Sequence, residues 1–334
     1  MGRGRGIVRF GVAVVVALAG AGFVGVEPSA AQRGKLVLIG AITEAWGPTP
    51  TMVGLRDGLK ELGYRENEHF AIGVRFTQGD ASLEELQAAA RQLVEGGAQL
   101  LVTGGGSSAA RAAQLATREV PIVFLGGSDP VGMGIVESFS RPGGNVTGIA
   151  DLDVDLSPKR LEIFRDLVPG MKRVVFPYDA GEPHAGAHLE RHRRAAARLG
   201  VALVEIPLRT QDEARAALAA VRKGQADGIF APRSVSLNIP AFVLEAATRS
   251  AIPAMFHDDV WVDQGGLASY SANGYEVGRQ AARLVDRIIK GAKPRDLPVE
   301  QATHFNLVIN LKRAKSLGLA VPPPVLLRAH RVIE

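Results

Sequence analysis

The sequence contains no cysteine among its 334 residues. Disulfide bonds, thiolate metal ligands, a thiol nucleophile and a lipid anchor on an N-terminal cysteine are therefore excluded. Aromatic residues make up only 5% of the chain, and only two of them are tryptophan. The chain also has no G-x-S-x-G elbow, no Walker loop and no H-E-x-x-H. It thus lacks the sequence marks of the hydrolases and nucleotide-hydrolysing enzymes that carry these motifs.

A long apolar run occurs once, at residues 10–26, after three arginines and no acidic residue. Small residues follow it at Ser29 and Ala31. This order predicts a secretory signal peptide over residues 1–31, cleaved near Ala31, and hence a periplasmic protein. The alternative is an uncleaved membrane anchor. Such an anchor needs about 20 apolar residues, and this run is slightly shorter and rich in glycine.

The charge of the chain excludes few partners by itself but argues against nucleic acid. Residues 1–31 carry three arginines and one glutamate, so without them the formal charge falls from +5 to +3. The richest basic stretch, 191–198, has its arginines spaced along a predicted helix and no interleaved aromatic residues. We interpret it as a solvated helix face, and we expect no nucleic-acid partner.

Short apolar runs alternate with helical patterns over the rest of the chain, which predicts parallel sheets covered by helices on both faces. Two comparable series occur, each near the ~100–150 residues of a common domain. We therefore predict an α/β protein with two doubly wound parallel-sheet lobes joined by a multi-strand hinge. Further elements remain near the C-terminus after these two series, as expected if the chain crosses between the two lobes more than once. The predicted N-terminal lobe is 35–150 with 272–300, and the C-terminal lobe is 151–271 with 301–334.

Ligands of open parallel sheets bind beyond the carboxyl ends of strands, where the strand order reverses. The strand predicted at 99–103 is followed by three glycines and then by Ser107 and Ser108 at a helix start. Free backbone N–H groups and two hydroxyls there suit a carboxylate or a phosphate. A tight turn followed by helix capping also explains the glycines, so both interpretations stay open.

The same stretch fits the G-x-G-x-x-A dinucleotide pattern through Gly104, Gly106 and Ala109. The match is weak because it follows the third predicted strand rather than the first. It also lacks an acidic residue ~20 positions further on to bind a ribose.

Other predicted strands are also followed by polar or aromatic side chains, which suit a small polar ligand held between lobes. Tryptophan in a strand-to-helix loop is a stacking candidate. Ser128 or Asp129 would in addition cap a helix predicted around 134–140. The acids beside His257 form an acid–base cluster without a nucleophile. These further candidate ligand-binding residues are Trp46, Ser128, Asp129, Tyr178, Ser234, Asp258 and Asp259.

Three histidines, His184, His188 and His192, are spaced four residues apart on one predicted helix. A neighbouring pair could bind zinc. The first and third lie about 12 Å apart along the helix axis, so one ion cannot contact all three. Because arginines surround them, we predict a solvated surface face without a metal, and we expect no cofactor.

Five short segments spread along the chain beyond the apolar run form a recognisable set. They are ELGY at 61–64, SDPVG at 128–132, SRPGGNVTG at 140–148, LPVEQ at 297–301 and LVINLK at 307–312. Together they resemble the substrate-binding proteins of ABC transporters. The resemblance implies a type I periplasmic-binding-protein fold with three hinge crossings, closing over a ligand. Some members of that family bind aromatic amino acids.

Two loops depart from the pattern of this family. The stretch before Trp261 commonly holds Arg-Glu, whereas here it is acidic, with Asp258 and Asp259. The loop at 178–179 usually reads Asn-Pro and here reads Tyr-Asp. An acidic wall opposite the glycine- and serine-rich site would suit a zwitterion. Its carboxylate would lie on 107–108 and its ammonium near the two aspartates.

We therefore expect an extracytoplasmic solute-binding receptor of an ABC importer, not an enzyme. It would close its two lobes over a small polar ligand such as an amino acid and deliver it to a membrane permease. Two alternatives remain open. One is a ligand-sensing receptor of a signalling system with the same fold. The other is a nucleotide-binding enzyme built around 104–106, which the signal peptide disfavours.

Overall fold

The computed structural model describes residues 36–43, 49–77, 81–104, 106–182, 185–234 and 236–334. The predicted signal peptide lies outside these residues. Within them, no helix combines the length and the apolar character needed to cross a membrane. Strands and helices alternate through both halves of this part of the chain, as an α/β protein requires.

Thirteen strands are present in the described residues. They are β1 (Val37–Thr43), β2 (Phe70–Phe76), β3 (Leu100–Gly104), β4 (Ile122–Gly127), β5 (Val146–Ala150), β6 (Arg173–Asp179), β7 (Ala202–Leu208), β8 (Gly228–Phe230), β9 (Ala254–Phe256), β10 (Ala268–Ala272), β11 (Glu300–Gln301), β12 (Phe305–Asn310) and β13 (Arg331–Ile333).

Eleven α-helices accompany them in the same described ranges, together with a 3-10 turn at Pro294–Asp296. They are α1 (Pro50–Glu61), α2 (Leu83–Glu95), α3 (Ser107–Ala116), α4 (Asp153–Leu167), α5 (Ala185–Arg198), α6 (Gln211–Ala220), α7 (Ile239–Ser250), α8 (Val260–Asp263), α9 (Gly274–Ile289), α10 (Leu311–Ser316) and α11 (Pro323–Leu326).

The strands form two sheets with the same doubly wound order. The first sheet runs β2–β1–β3–β4–β5–β11 and the second runs β7–β6–β8–β9–β10–β12–β13. Neighbours are parallel except β10 and β12, which are antiparallel. In each sheet the first strand lies between the second and the third, so the strand order reverses there. The predicted fold class, two doubly wound parallel sheets, is confirmed.

Local sequence explains individual elements well. β4 and β5 are buried along their whole length, as expected of apolar strands covered on both faces. α2 begins with a capping box, in which Ser82 Oγ accepts from Glu85 N at 3.2 Å and Glu85 Oε2 accepts from Ser82 N at 2.8 Å. Leu86 and Leu93 of α2 then pack into the core on one side of the first sheet.

The chain passes between the two sheets three times. It leaves the first sheet after β5 at Asp151–Leu152, returns between β10 and α9 at Asn273, and leaves again between β11 and β12 at 302–304. Leu152 has a positive φ of 60°, a conformation that is uncommon for a branched side chain. The first crossing therefore contains a strained residue.

α9 packs against α1 at very short range, and this contact fixes the returning segment to the first sheet. A Cβ atom added at Gly54 would collide with the carbonyl of Tyr275, and one at Gly278 would collide with the carbonyl of Thr51. A Cβ at Gly58 would lie 2.7 Å from Ala282 Cβ. Glycine is required here because the two helix backbones touch.

The helix predicted around 134–140 is absent, and this prediction was wrong. Turns and bends replace it. Asp129 Oδ1 accepts from Gly132 N at 2.9 Å and forms a local turn in place of a helix cap. Gly134 has a φ of +63°, which ends the turn. Phe139 O accepts from Val299 N at 2.7 Å, so a residue distant in sequence supplies the hydrogen bond that a helix would otherwise supply to this carbonyl.

The solvated histidine face predicted on α5 was wrong for His192, which is 7% exposed. Its ring centroid lies 4.4 Å from that of Phe176, and Nδ1 donates to His188 O at 2.8 Å. Burial lowers the pKa of His192 to about 4, so the ring is neutral at neutral pH. His184 lies outside the described residues.

The α1–α9 contact predicts that two glycine-to-alanine substitutions differ strongly in their effect on the free energy of unfolding. Gly278→Ala should lower the free energy of unfolding by about 1–3 kcal/mol or more, because the new methyl group meets backbone of the facing helix. Urea unfolding measures the change. The matched control is Gly186→Ala in α5, where a Cβ meets nothing within 4 Å. That change should be neutral or stabilise by up to about 1 kcal/mol. Equal effects would contradict the close packing.

Candidate functional site

A cleft opens at the carboxyl ends of β6 and β8, where the strand order of the second sheet reverses. Its volume is about 510 Å³, including the part that is open to solvent. The lining comes from α4, the end of β6, the start of α5 and the loop after β8. Phe176, Tyr178 and Leu189 supply aromatic and aliphatic walls, and the remaining lining side chains are mostly charged or polar.

A buried ion pair forms one side of the cleft. Arg160 is 1% exposed; its Nη2 lies 2.8 Å from Asp153 Oδ1, and its Nε donates to Tyr270 O at 2.8 Å. Burial opposes ionisation of Asp153, but the Arg160 guanidinium and other nearby positive charge outweigh it. The pKa of Asp153 consequently lies below its usual value. Both groups are therefore charged at neutral pH.

Arg233, which follows β8, reaches toward the first sheet. Its Nη1 donates to Asp151 Oδ2 at the first crossing. A Cβ atom added at Gly106 would lie 3.1 Å from Arg233 Nη2, and Gly106 stands at the start of α3 with a φ of +101°. The guanidinium thus lies beside the N-terminus of α3, where an anion would meet both the guanidinium and the helix N–H groups.

Residues at the edge of the first sheet face α5 across the cleft. Ser107 Oγ accepts from Ser128 N at 3.1 Å, which joins the loops that follow β3 and β4. The next residue, Asp129, places Oδ2 3.5 Å from His188 Nε2 on α5. Asp129 and His188 therefore connect the first sheet with α5, in addition to the pair that Arg233 forms with Asp151 at the first crossing.

Two further acids lie at the mouth of the cleft. Asp179 accepts from Gly181 N at 2.7 Å and from Ser236 Oγ at 3.2 Å. The carboxyl group of Glu182 has no hydrogen bond or ion pair to any residue in the described ranges. Burial, followed by the Asp179 and Asp153 carboxylates, raises the pKa of Glu182 to about 7.

The structure brings some of the residues predicted from the sequence together and separates others. Tyr178 and Ser234 line the cleft. Ser107, Ser128 and Asp129 lie at the facing edge of the first sheet. Ser108, which is exposed, is in the first turn of α3.

Two predicted residues, Asp258 and Asp259, have other surroundings. Asp258 Oδ1 accepts from Val260 N at 3.0 Å, and Asp259 Oδ2 lies 3.6 Å from an Arg331 nitrogen. Neither aspartate lines the cleft. Trp46 lies outside the described residues.

The sequence analysis did not identify Arg160 of α4, or Glu182 just before α5, as residues of the site. Arg160 lies four residues before Phe164 and seven before Leu167, on the buried stripe of α4. A single arginine on an otherwise apolar helix stripe is the signal that could have revealed it. Glu182 carries no comparable signal, because its surroundings come from several separate segments.

No group of three or more metal-ligating side chains is positioned to hold a metal ion anywhere in the described ranges. His192 uses Nδ1 to bond the backbone of its own helix and packs against Phe176. His192 is therefore a buried residue of the cleft wall and not an exposed residue on the surface of α5.

Comparison with known proteins agrees with this architecture. The profile of the ABC transporter substrate binding protein family matches residues 37–333. Among curated proteins, a tyrosine-binding protein from Clostridioides difficile (strain R20291) is 26% identical over 268 residues, which cover 80% of this chain and 76% of the relative.

Two solved structures are similar over 89% of this chain and 99% of their own, each with a TM-score of 0.78. One is a conserved domain protein from Vibrio cholerae O1 biovar eltor str. N16961, 30% identical. The other is an ABC domain in complex with L-Trp from Streptococcus pneumonia, 26% identical. Because the family profile covers nearly the whole chain, the protein belongs to the ABC transporter substrate binding proteins, which are binding proteins and not enzymes.

Proposed function

We propose that this protein is an extracytoplasmic receptor of an ABC importer that closes two lobes over an amino acid and delivers it to a membrane permease. The observation that carries the proposal is the cleft at the reversal of the second sheet, which has charges of both signs and faces the edge of the first sheet. Such a position is where open α/β sheets bind ligands.

The two sheets with their helices are the proposed lobes. Each has hydrophobic clusters of its own, and the chain connects them at three places. Segments of this kind absorb the dihedral changes of hinge closure. Leu152, with its left-handed backbone at the first crossing, is the residue we assign to the centre of the hinge.

The two charged ends of an amino acid match opposite sides of the cleft. The carboxylate would lie between the N-terminus of α3 and Arg233, close to Ser107 and Ser108. The ammonium would lie at Asp179 and Glu182, the acids that face the cleft. This assignment replaces the pair at 258–259 that the sequence suggested, because those two aspartates are engaged elsewhere.

The aromatic walls at Phe176 and Tyr178 suit a ligand with an aromatic or aliphatic side chain. The centroids of these two rings lie 6.0 Å apart, and the ring planes are nearly parallel. A tyrosine-binding relative and a tryptophan-bound structural neighbour, each 26% identical, support an aromatic amino acid. Delivery to a transporter rather than to a sensor rests on the family alone.

A thermal-shift screen of the purified protein tests the ligand class. Amino acids should raise the unfolding temperature, since a ligand at 100 times its Kd adds about 2.7 kcal/mol of stability. The matched controls are the decarboxylated amine and the deaminated acid of each amino acid that binds. Both should bind much more weakly, because each leaves one charged side of the cleft unsatisfied. A response confined to sugars or nucleotides, or none after bound cargo is stripped by refolding, would overturn the proposal.

Binding should also depend on pH through Glu182. A proton on this carboxyl competes with the ligand ammonium, so affinity should fall as pH decreases below about 7. Between pH 8 and pH 6 the Kd should rise about tenfold, as measured by isothermal titration calorimetry. Glu182→Gln should weaken binding at pH 8 and flatten the profile. Glu190→Gln, on the exposed side of α5, should retain the pH dependence of the wild type. Identical profiles for the wild type and the Glu182 variant would refute the assignment.

A further inference from the structure

Three buried side-chain atoms on the wall of the cleft have no hydrogen bond within the described part of the chain: Arg160 Nη1, Ser234 Oγ and His188 Nε2. The His188 nitrogen lies 3.5 Å from Asp129 Oδ2, so Arg160 Nη1 and Ser234 Oγ are the two that have no such neighbour. Arg160 is 1% exposed and Ser234 is 2% exposed, and both residues line the cleft. Arg160 is held in place by Asp153 and the carbonyl of Tyr270, so its remaining nitrogen has a fixed position.

An unpaired buried donor is costly, and native proteins leave few of them without a partner. Isolated cases occur in this protein too, since Ser269 Oγ and Thr103 Oγ1 are also buried and unpaired. Neither of those residues lines the cleft. Arg160 and Ser234 differ from those two residues because both line one cleft that communicates with solvent. Their common requirement is an acceptor that arrives from outside.

The charges around these donors decide what kind of acceptor fits. Arg160 is already neutralised by Asp153, and the Asp179 and Glu182 carboxylates lie on the same cleft. His192 and His257 face this cluster as neutral rings, because burial lowers the pKa of each to about 4. A carboxylate bound at Arg160 would add a negative charge beside the Asp153, Asp179 and Glu182 carboxylates, with only the already paired Arg160 to balance it.

The surroundings of the two donors give a second limit. Both belong to the same cleft of about 510 Å³, a volume that includes its open part, so the group bonded to them is one part of a larger ligand. The apolar walls at Phe176 and Leu189 favour a carbon skeleton around that group.

We infer that Arg160 and Ser234 form a subsite that selects a ligand side chain bearing a neutral oxygen, such as a hydroxyl or an amide carbonyl. The inference rests on the proposed amino-acid receptor and specifies the side chain that this receptor prefers. The oxygen accepts from Arg160 Nη1 and from the Ser234 hydroxyl. A site built to bond an oxygen discriminates strongly against the analogue that lacks it, because its donors are then left unpaired.

Calorimetric titration of the purified protein with paired amino acids tests this subsite. The probe pairs are tyrosine with phenylalanine, threonine with valine, and asparagine with leucine. In at least one pair the oxygen-bearing member should bind about tenfold more tightly or better. Glutamine should also bind more tightly than glutamate. A preference below tenfold in every pair, tighter binding of glutamate, or binding only by amino acids without a neutral oxygen would overturn the inference.

A pair of serine substitutions assigns the preference to the subsite. Ser234→Ala should reduce the preference for the oxygen-bearing member at least about fivefold, through loss of affinity for that member alone. The matched control is Ser269→Ala, which also removes a buried unpaired hydroxyl but lies outside the cleft. It should leave the preference unchanged. An unchanged preference in Ser234→Ala, or an equal loss in both variants, would refute the role of Ser234.

The two proposals fail in different ways in this experiment. If amino acids bind but the members of each pair bind equally, the receptor function stands and the subsite is refuted. If no amino acid binds at all, the receptor function itself is refuted and the subsite falls with it. Thermal unfolding of both serine variants verifies that each is folded before titration.

Discussion

The buried ion pair between Arg160 and Asp153 is the interaction on which the rest of the site depends. The guanidinium also bonds the carbonyl of Tyr270, while the backbone N–H of Asp153 donates to Asp151, which in turn accepts from Arg233. This chain of contacts joins the loop after β8, the first crossing and the middle of β10. Removing one member leaves an uncompensated buried charge, which typically costs about 3–5 kcal/mol. The network therefore fixes the cleft and the first crossing together.

This arrangement relates the proposed hinge directly to the proposed ligand site. Leu152, with its left-handed backbone, lies between the two aspartates of the network, so a rotation of the proposed lobes about it would displace their carboxylates. Arg233 meets the start of α3 at Gly106, whose positive φ of 101° favours glycine and where an added Cβ would lie 3.1 Å from the guanidinium. In the proposed mechanism, an anionic group held there contacts both lobes at once. Its binding energy would then favour the closed form over the open one.

The close contact of α1 with α9 has the complementary role. Gly54 and Gly278 allow the two helix backbones to touch, which attaches the returning segment to the first sheet despite more than 200 residues between them. Such dense packing stiffens the first sheet with its helices. In the proposed mechanism, motion is concentrated in the three short crossings, as in a hinge that moves two rigid bodies.

The sequence by itself determined the two doubly wound sheets, the family and, apart from the helix expected around 134–140, the order of the elements discussed above, because apolar periodicity and strand-end motifs are local properties of the chain. Tyr178 and Ser234 were found for the same reason, since each lies just beyond a strand predicted from the sequence. Tertiary structure alone decided the burial of Arg160, which depends on a carbonyl 110 residues away at Tyr270. It also decided the raised pKa of Glu182 and the neutrality of His192. Burial and the approach of distant charges set these properties, and neither quantity is written in a local pattern of residues.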